Sequence, residues 1–142
     1  MYAADDLLFL PSGPVAPALV AGAFARRIMV VVRSGADYPV QKEFLVKILA
    51  AAHINMEKDT LMAEIKGSEA VSLLPVLKEK QPEYILVFGL APSDVCLSID
   101  APLYKPFAFY GATWLFAEPL SVLEPDKTRK GLLWRALQQL FL

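Results

Sequence analysis

The stretch that decides the fold is Glu83-Tyr84-Ile85-Leu86-Val87-Phe88-Gly89-Leu90-Ala91. It is apolar at nearly every position, with a glycine close to its end. A strand with one face in water alternates polar and apolar residues, so a continuous apolar run indicates a strand covered on both faces. Such strands belong to parallel sheets between helix layers, where chemistry occurs beyond the carboxyl ends of the strands. Residues 89–93 contain no phosphate-loop pattern, nucleophile–base pair or metal cluster.

Similar patterns on either side of this run predict alternating strands and helices. Further strands are expected at 28–32, 60–65, 107–110 and 113–117, and helices at about 39–53, at 72–81 and from Asp126 onward. Ser121-Val122-Leu123-Glu124 fits a capping box ahead of that last helix. The alternation predicts a mostly parallel sheet of four to five strands. The expected fold is therefore α/β, a three-layer α/β/α sandwich formed by residues 26–142 as one domain.

Residues 1–25 are predicted to form a flexible N-terminal arm. Pro11, Pro14 and Pro17, together with Gly13, disfavour regular structure there. The arm nevertheless contains a strongly hydrophobic tetrapeptide, Leu7-Leu8-Phe9-Leu10. We predict that this tetrapeptide either binds a partner or folds back onto its own domain, and the sequence leaves both readings open.

Composition favours a protein that works through contacts with other proteins. Apolar residues make up 56% of the 142 residues and charged residues only 20%, so we expect an exposed apolar patch and a protein partner. With 14 Lys and Arg against 15 Asp and Glu, the net charge of −1 lacks the basic footprint of specific DNA binding. Cys96 is the only cysteine, which fits a reducing cytoplasm. The apolar stretch 15–25 is too short to span a membrane, so we expect a cytoplasmic protein without a membrane partner.

The last helix is more apolar around its circumference than a surface helix requires. Leu133, Leu137, Leu140 and Phe141 form one stripe, and Trp134 lies on an overlapping one. This width predicts either that the helix is simply core or that part of it is a docking face. In the second reading, Trp134 and Phe141 join the tetrapeptide as partner-binding residues.

Few residues are suited to catalysis, and no cofactor or metal is expected. His53, the only histidine, falls at the end of the first predicted helix, away from the carboxyl ends of the strands, so we expect a structural role. Cys96 is expected to be a small buried hydrophobe. Asp37, Asp94 and Asp100 could meet at the strand ends and bind magnesium, although Asp in turns is commoner.

Asp37 is the one acidic residue with a suggestive position. It follows the first strand by a few residues, at the edge where parallel-sheet enzymes place catalytic groups. A carboxylate there could activate a water molecule. Because a base alone is not an active site, we predict no catalytic residue and keep Asp37 as the alternative.

Three segments of the chain resemble the uracil-DNA glycosylase superfamily. Residues 34–39 (SGADYP), between strand and helix, look like a degenerate form of the water-activating loop, and residues 84–91 are similar to the third strand. Residues 116–121 (FAEPLS) fall where those enzymes carry a His-Pro-Ser-Pro-Leu-Ser loop. The resemblance implies a glycosylase-like fold. Glu118 stands near the place of the histidine that stabilises the departing uracil, and a carboxylate there would oppose the developing negative charge.

The chain also resembles the psi-subunit family of bacterial DNA polymerase III holoenzyme, which keeps this fold without the catalysis. The likeness lies in the N-terminal arm, in residues 27–39, and in residues 128–137 with their Leu-Trp pair. It implies a clamp-loader accessory protein whose arm grips the loader and whose globular face holds chi. The alternatives left open are a divergent glycosylase-like hydrolase that uses Asp37 and a small-ligand binder beside Gly35 and Gly89.

Overall fold

The computed structural model describes residues 19–21, 24–34, 38–66, 74–92 and 102–142. In chain order the elements are two strands, two helices, a strand, a helix, three strands and two helices. Their bounds are β1 Leu19–Ala21, β2 Ile28–Ser34, α1 Tyr38–Ala51, α2 Met56–Asp59, β3 Thr60–Lys66, α3 Leu74–Lys80, β4 Tyr84–Phe88, β5 Phe107–Phe109, β6 Ala112–Ala117, α4 Leu120–Leu123 and α5 Lys127–Phe141.

These strands form one six-stranded sheet in the order β1-β3-β2-β4-β6-β5. The four central strands are parallel, with Val30 between Met62 of β3 and Leu86 of β4. The edge strands β1 and β5 are antiparallel to their neighbours. The α/β class and the mostly parallel sheet are confirmed. The expected number of four to five strands is wrong because β1 adds a sixth.

The additional strand lies within the segment 1–25 that was predicted to be an arm. Leu19 pairs with Glu64 and Ala21 pairs with Met62. The chain is therefore attached to the sheet before residue 26. Of the predicted arm, residues 1–18 and 22–23 lie outside the described residues.

Helices cover both faces of the sheet. One face packs Val30, Leu86 and Leu115 against apolar side chains from α1, α4 and α5: Leu45, Leu49, Leu120, Leu123, Leu133 and Leu137. The other face packs Ile85, Val87 and Trp114 against Leu77 of α3. The central strand β4 is buried on both faces, as its unbroken apolar run predicted.

The β5–β6 hairpin has the two-residue turn that matches strand twist. Tyr110 and Gly111 have φ values of 52° and 73°, the positive angles that a type I′ turn requires at both positions. The indole Nε1 of Trp114 donates to the carbonyl of Phe109 at 2.8 Å, which satisfies a polar group within an apolar layer. The two strands predicted at 107–110 and 113–117 are therefore confirmed, with Tyr110 in the turn and not in β5.

Candidate functional site

The strand order places the crevice typical of α/β proteins between β2 and β4. The chain passes from β2 to β3 on one side and returns to β4 on the other, so the connections diverge at the carboxyl ends of β2 and β4. Ser34 and Gly89 mark these ends. Gly35 and Asp37, which the sequence places in this crevice, lie outside the described residues.

Within the described part of this edge, the backbone just after β4 packs closely against the segment that follows β6. Gly89 donates its N–H to the carbonyl of Ala117 at 3.0 Å. Its φ is +75°, and a Cβ at this position would lie 3.1 Å from the Cα of Pro119. Glycine is thus required both for the backbone angle and for the approach of the segment that follows β6. This contact brings Pro119 against the backbone directly after β4.

Glu118 connects two other described segments at this edge. Its Oε1 accepts a hydrogen bond from the Tyr104 hydroxyl at 2.9 Å and lies 3.2 Å from Nε of Arg129. The Glu118 side chain is only 21% exposed. Arg129 also lies 3.7 Å from Oδ2 of Asp126, the residue that caps α5. We call Tyr104, Glu118 and Arg129 the edge triad.

The edge triad is a product of the fold and was not predicted from the sequence. Tyr104 is positioned by its amide, which donates to the carbonyl of Phe116 at 2.9 Å, and by its neighbour Leu103, which bridges to β6. Arg129 is in the first turn of α5. Burial, followed by the hydrogen bond to Glu118, raises the pKa of Tyr104 to about 12. The hydroxyl therefore stays protonated at neutral pH and acts as a donor.

Chemically, the edge triad joins three segments rather than presenting a reactive group. One Glu118 oxygen accepts a hydrogen bond from the Tyr104 hydroxyl and lies against the Arg129 guanidinium, so its negative charge is offset within the protein. The described residues contain no group of three or more His, Cys, Asp or Glu side chains that could hold a metal ion. Asp94, Cys96 and Asp100 lie outside those residues.

His53 is found where the sequence placed it, beyond the end of α1 and away from the carboxyl ends of the strands. It is exposed and has a φ of 63°, and its amide donates to the carbonyl of Ala50 at 3.0 Å. Its own carbonyl accepts from the Arg26 guanidinium at 2.9 Å. His53 therefore ends the helix through its backbone.

A cleft of about 390 Å³ lies at the opposite, amino edge of the sheet. It is formed where α3 leads into β4 and where the β5–β6 turn approaches, by Leu77, Lys78, Gln81, Pro82, Tyr110 and Gly111. This is the edge opposite to the one where parallel-sheet enzymes hold their chemistry. It is not the pocket beside Gly35 and Gly89 that a small-ligand binder requires.

Trp134 and Phe141, the predicted docking residues of α5, are half-buried. Both pack against the core beneath α1 and α5. The Phe141 ring lies 4.8 Å from that of Tyr84, centroid to centroid, and the Arg26 guanidinium lies 5.9 Å from its centre. The side chains of Trp134 and Phe141 therefore contribute to the core. The remaining predicted partner-binding residues, Leu7, Leu8, Phe9 and Leu10, lie outside the described residues.

Comparison with known protein families and with curated proteins finds no match to this chain. Among the described residues, no helix combines the length and apolar character needed to cross a bilayer.

Proposed function

We propose that this protein is a non-catalytic adaptor, a psi-like accessory subunit of the replicative polymerase clamp-loader complex that acts in the bacterial cytoplasm. The proposal treats the domain as a glycosylase-like scaffold on which structural contacts have replaced the chemistry. The observation that carries it is the engagement of Glu118 by Tyr104 and Arg129. A carboxylate held in this way stabilises a turn and has little capacity to promote loss of an anionic leaving group.

The proposed mechanism is tethering. Leu7-Leu8-Phe9-Leu10 inserts into a groove on the clamp loader, and the α5 side of the domain, with Trp134 and Phe141, offers a second surface to a chi-like partner. Joining two weak contacts through one chain raises the effective concentration of the second partner into the millimolar range for a short linker. No bond needs to be made or broken.

Reconstitution with a bacterial clamp loader and chi tests this function. We expect the full chain to co-purify with the loader. The double variant Leu8→Asp/Phe9→Asp should raise the dissociation constant at least about tenfold, since a buried anchor typically contributes more than 1.4 kcal/mol. Val46→Asp is the matched control, because Val46 is 42% exposed on α1, outside the tetrapeptide. Equal binding by the two variants would refute the role of the arm.

The enzymatic alternative is separated by a second assay. The full chain is incubated with uracil-containing single-stranded DNA, and free uracil is measured. We expect no release above the buffer level. Release that is abolished by Asp37→Ala would overturn the adaptor and establish a glycosylase-like hydrolase.

A further inference from the structure

Helix α5 presents one stripe to solvent that differs in chemistry from its buried side. Leu132, Arg135, Gln139 and Leu142 follow one another at three- and four-residue spacing, so they share a face. Leu132 is 42% exposed and Leu142 is 60% exposed, while Arg135 and Gln139 are also exposed. We call this face the α5 stripe. Two exposed leucines flanking a cation form a short amphipathic surface.

The charge of α5 is one-sided. The helix contains Lys127, Arg129, Lys130 and Arg135 and no acidic residue. Arg129 is neutralised by Glu118 and Asp126, whereas Arg135 has no ion-pair partner among the described residues. The exposed side of α1, in contrast, mixes Glu43 with Lys42 and Lys47. The α5 stripe therefore favours a ligand that is both acidic and apolar.

The chain itself contains a segment that is both acidic and apolar. Asp5-Asp6 is followed directly by Leu7-Leu8-Phe9-Leu10. Fully extended, these six residues span about 17–20 Å, and Leu132 and Leu142 lie about 15 Å apart along the helix axis. The acidic pair can thus reach Arg135 while the apolar residues cover a leucine of the stripe.

The connection is long enough for this contact within one molecule. Leu19 pairs with Glu64 near the carboxyl end of β3, so β1 begins at the carboxyl edge of the sheet. α5 begins at this same edge, beside Glu118, and ends over Tyr84 of β4. β4 is three strands from β1, about 14 Å across the sheet. The chain from Leu10 to Leu19 can span up to about 30 Å.

We infer that residues 5–10 dock on the α5 stripe of the same chain, with Asp5 and Asp6 facing Arg135. The tether supplies an effective concentration in the millimolar range, so a contact too weak to hold a free peptide is still populated. This inference does not rest on the proposed function. If both hold, a partner that captures the tetrapeptide must first displace it from α5.

Paramagnetic broadening in the full chain tests the contact. A nitroxide is attached through Ala4→Cys in a Cys96→Ser background, and amide signals are recorded. We expect broadening at residues 132, 135, 139 and 142 that does not change on dilution. Arg135→Glu should abolish it, and adding Asp5→Arg with Asp6→Arg should restore it by exchanging the charges. Lys47→Glu, a reversal of an exposed cation on α1, should leave it unchanged.

Three results would overturn the inference: no broadening on α5, broadening centred on α1, or broadening that fades on dilution, which would identify a second copy as the occupant. If Cys96→Ser perturbs folding, the unlabelled chain provides the same test. Charge reversal of Asp5 and Asp6 should then shift the amide signals of the α5 stripe and leave those of α1 in place. Absence of such shifts would also defeat the inference.

Discussion

Replacing Gly89 with alanine should destabilise the protein through two separable effects. The left-handed φ of +75° costs an ordinary L-residue about 1–2 kcal/mol. In addition, the new Cβ would lie 3.1 Å from the Cα and 3.3 Å from the Cβ of Pro119, so the backbone after β6 must shift. Overpacking of this kind typically adds about 1–3 kcal/mol. We expect a total loss of about 2–5 kcal/mol in the free energy of unfolding.

Two other glycines provide matched controls. Gly111 has nearly the same φ, +73°, but a Cβ there would meet no atom within 4 Å, so Gly111→Ala should lose only the backbone cost of about 1–2 kcal/mol. Gly131 lies inside α5 with open space around it. Gly131→Ala should therefore stabilise the protein by about 0.5–1 kcal/mol, because alanine restricts the unfolded chain and favours helix.

Urea unfolding followed by circular dichroism measures all three variants under one set of conditions. The expected order of stability is Gly131→Ala, the unsubstituted chain, Gly111→Ala and then Gly89→Ala. The difference between the last two reports the contact with Pro119. If Gly89→Ala loses no more than Gly111→Ala, the close approach of the segment after β6 to the end of β4 is wrong.

Two further predictions concern the polar contacts around α5. The folded-state pKa of Tyr104 is raised to about 12, above its usual value of about 10, so the unfolded chain loses this proton at lower pH than the folded chain. The free energy of unfolding should therefore fall between about pH 10 and 12. Tyr104→Phe should flatten that part of the pH profile, measured by urea unfolding. The Asp126 side chain accepts from the Arg129 amide at 3.1 Å, so Asp126→Ala should lower the free energy of unfolding by about 1 kcal/mol. Asp126→Asn should retain most of this capping contribution. Equal losses for the two variants in urea unfolding would contradict the capping role of Asp126.

The long elements of the fold could be predicted because their signals are local. Residues 28–32 of β2 and residues 84–88 of β4 are continuous apolar runs, and both runs are buried on both faces. α5 begins at Lys127, next to the predicted start at Asp126, and the Asp126 side chain caps it by accepting from an amide three residues later. Such features are set by residues that are adjacent in the sequence, so they can be predicted from the sequence alone.

Three short elements, β1, α2 and α4, were missed because they lack such a local signal. β1 has only three residues, and it is ordered by pairing with β3, some forty residues away, rather than by its own pattern. α2 and α4 have four residues each, too few to show a helical period. The predicted capping box at Ser121 is wrong because α4 starts at Leu120, so Ser121 lies inside that helix.

The edge triad illustrates the limit for the candidate site. Glu118 could be singled out because residues 116–121 resemble a glycosylase loop, but its partners are 14 residues before it and 11 residues after it. Their meeting depends on the bridge of Leu103 to β6 and on the direction in which α5 leaves its cap. The sequence contains no pattern that fixes either feature.

Glu118, the residue that follows β6, bears on the proposed function. A histidine there could meet a developing negative charge, whereas Glu118 brings a charge of its own that the protein must offset. Arg129 and Tyr104 offset it, and in doing so they fasten the start of α5 and the segment before β5 to the sheet. α5 is thereby fixed in direction, with Leu133 and Leu137 inward and the α5 stripe outward. A helix held in this way is suited to the docking role that we propose for α5.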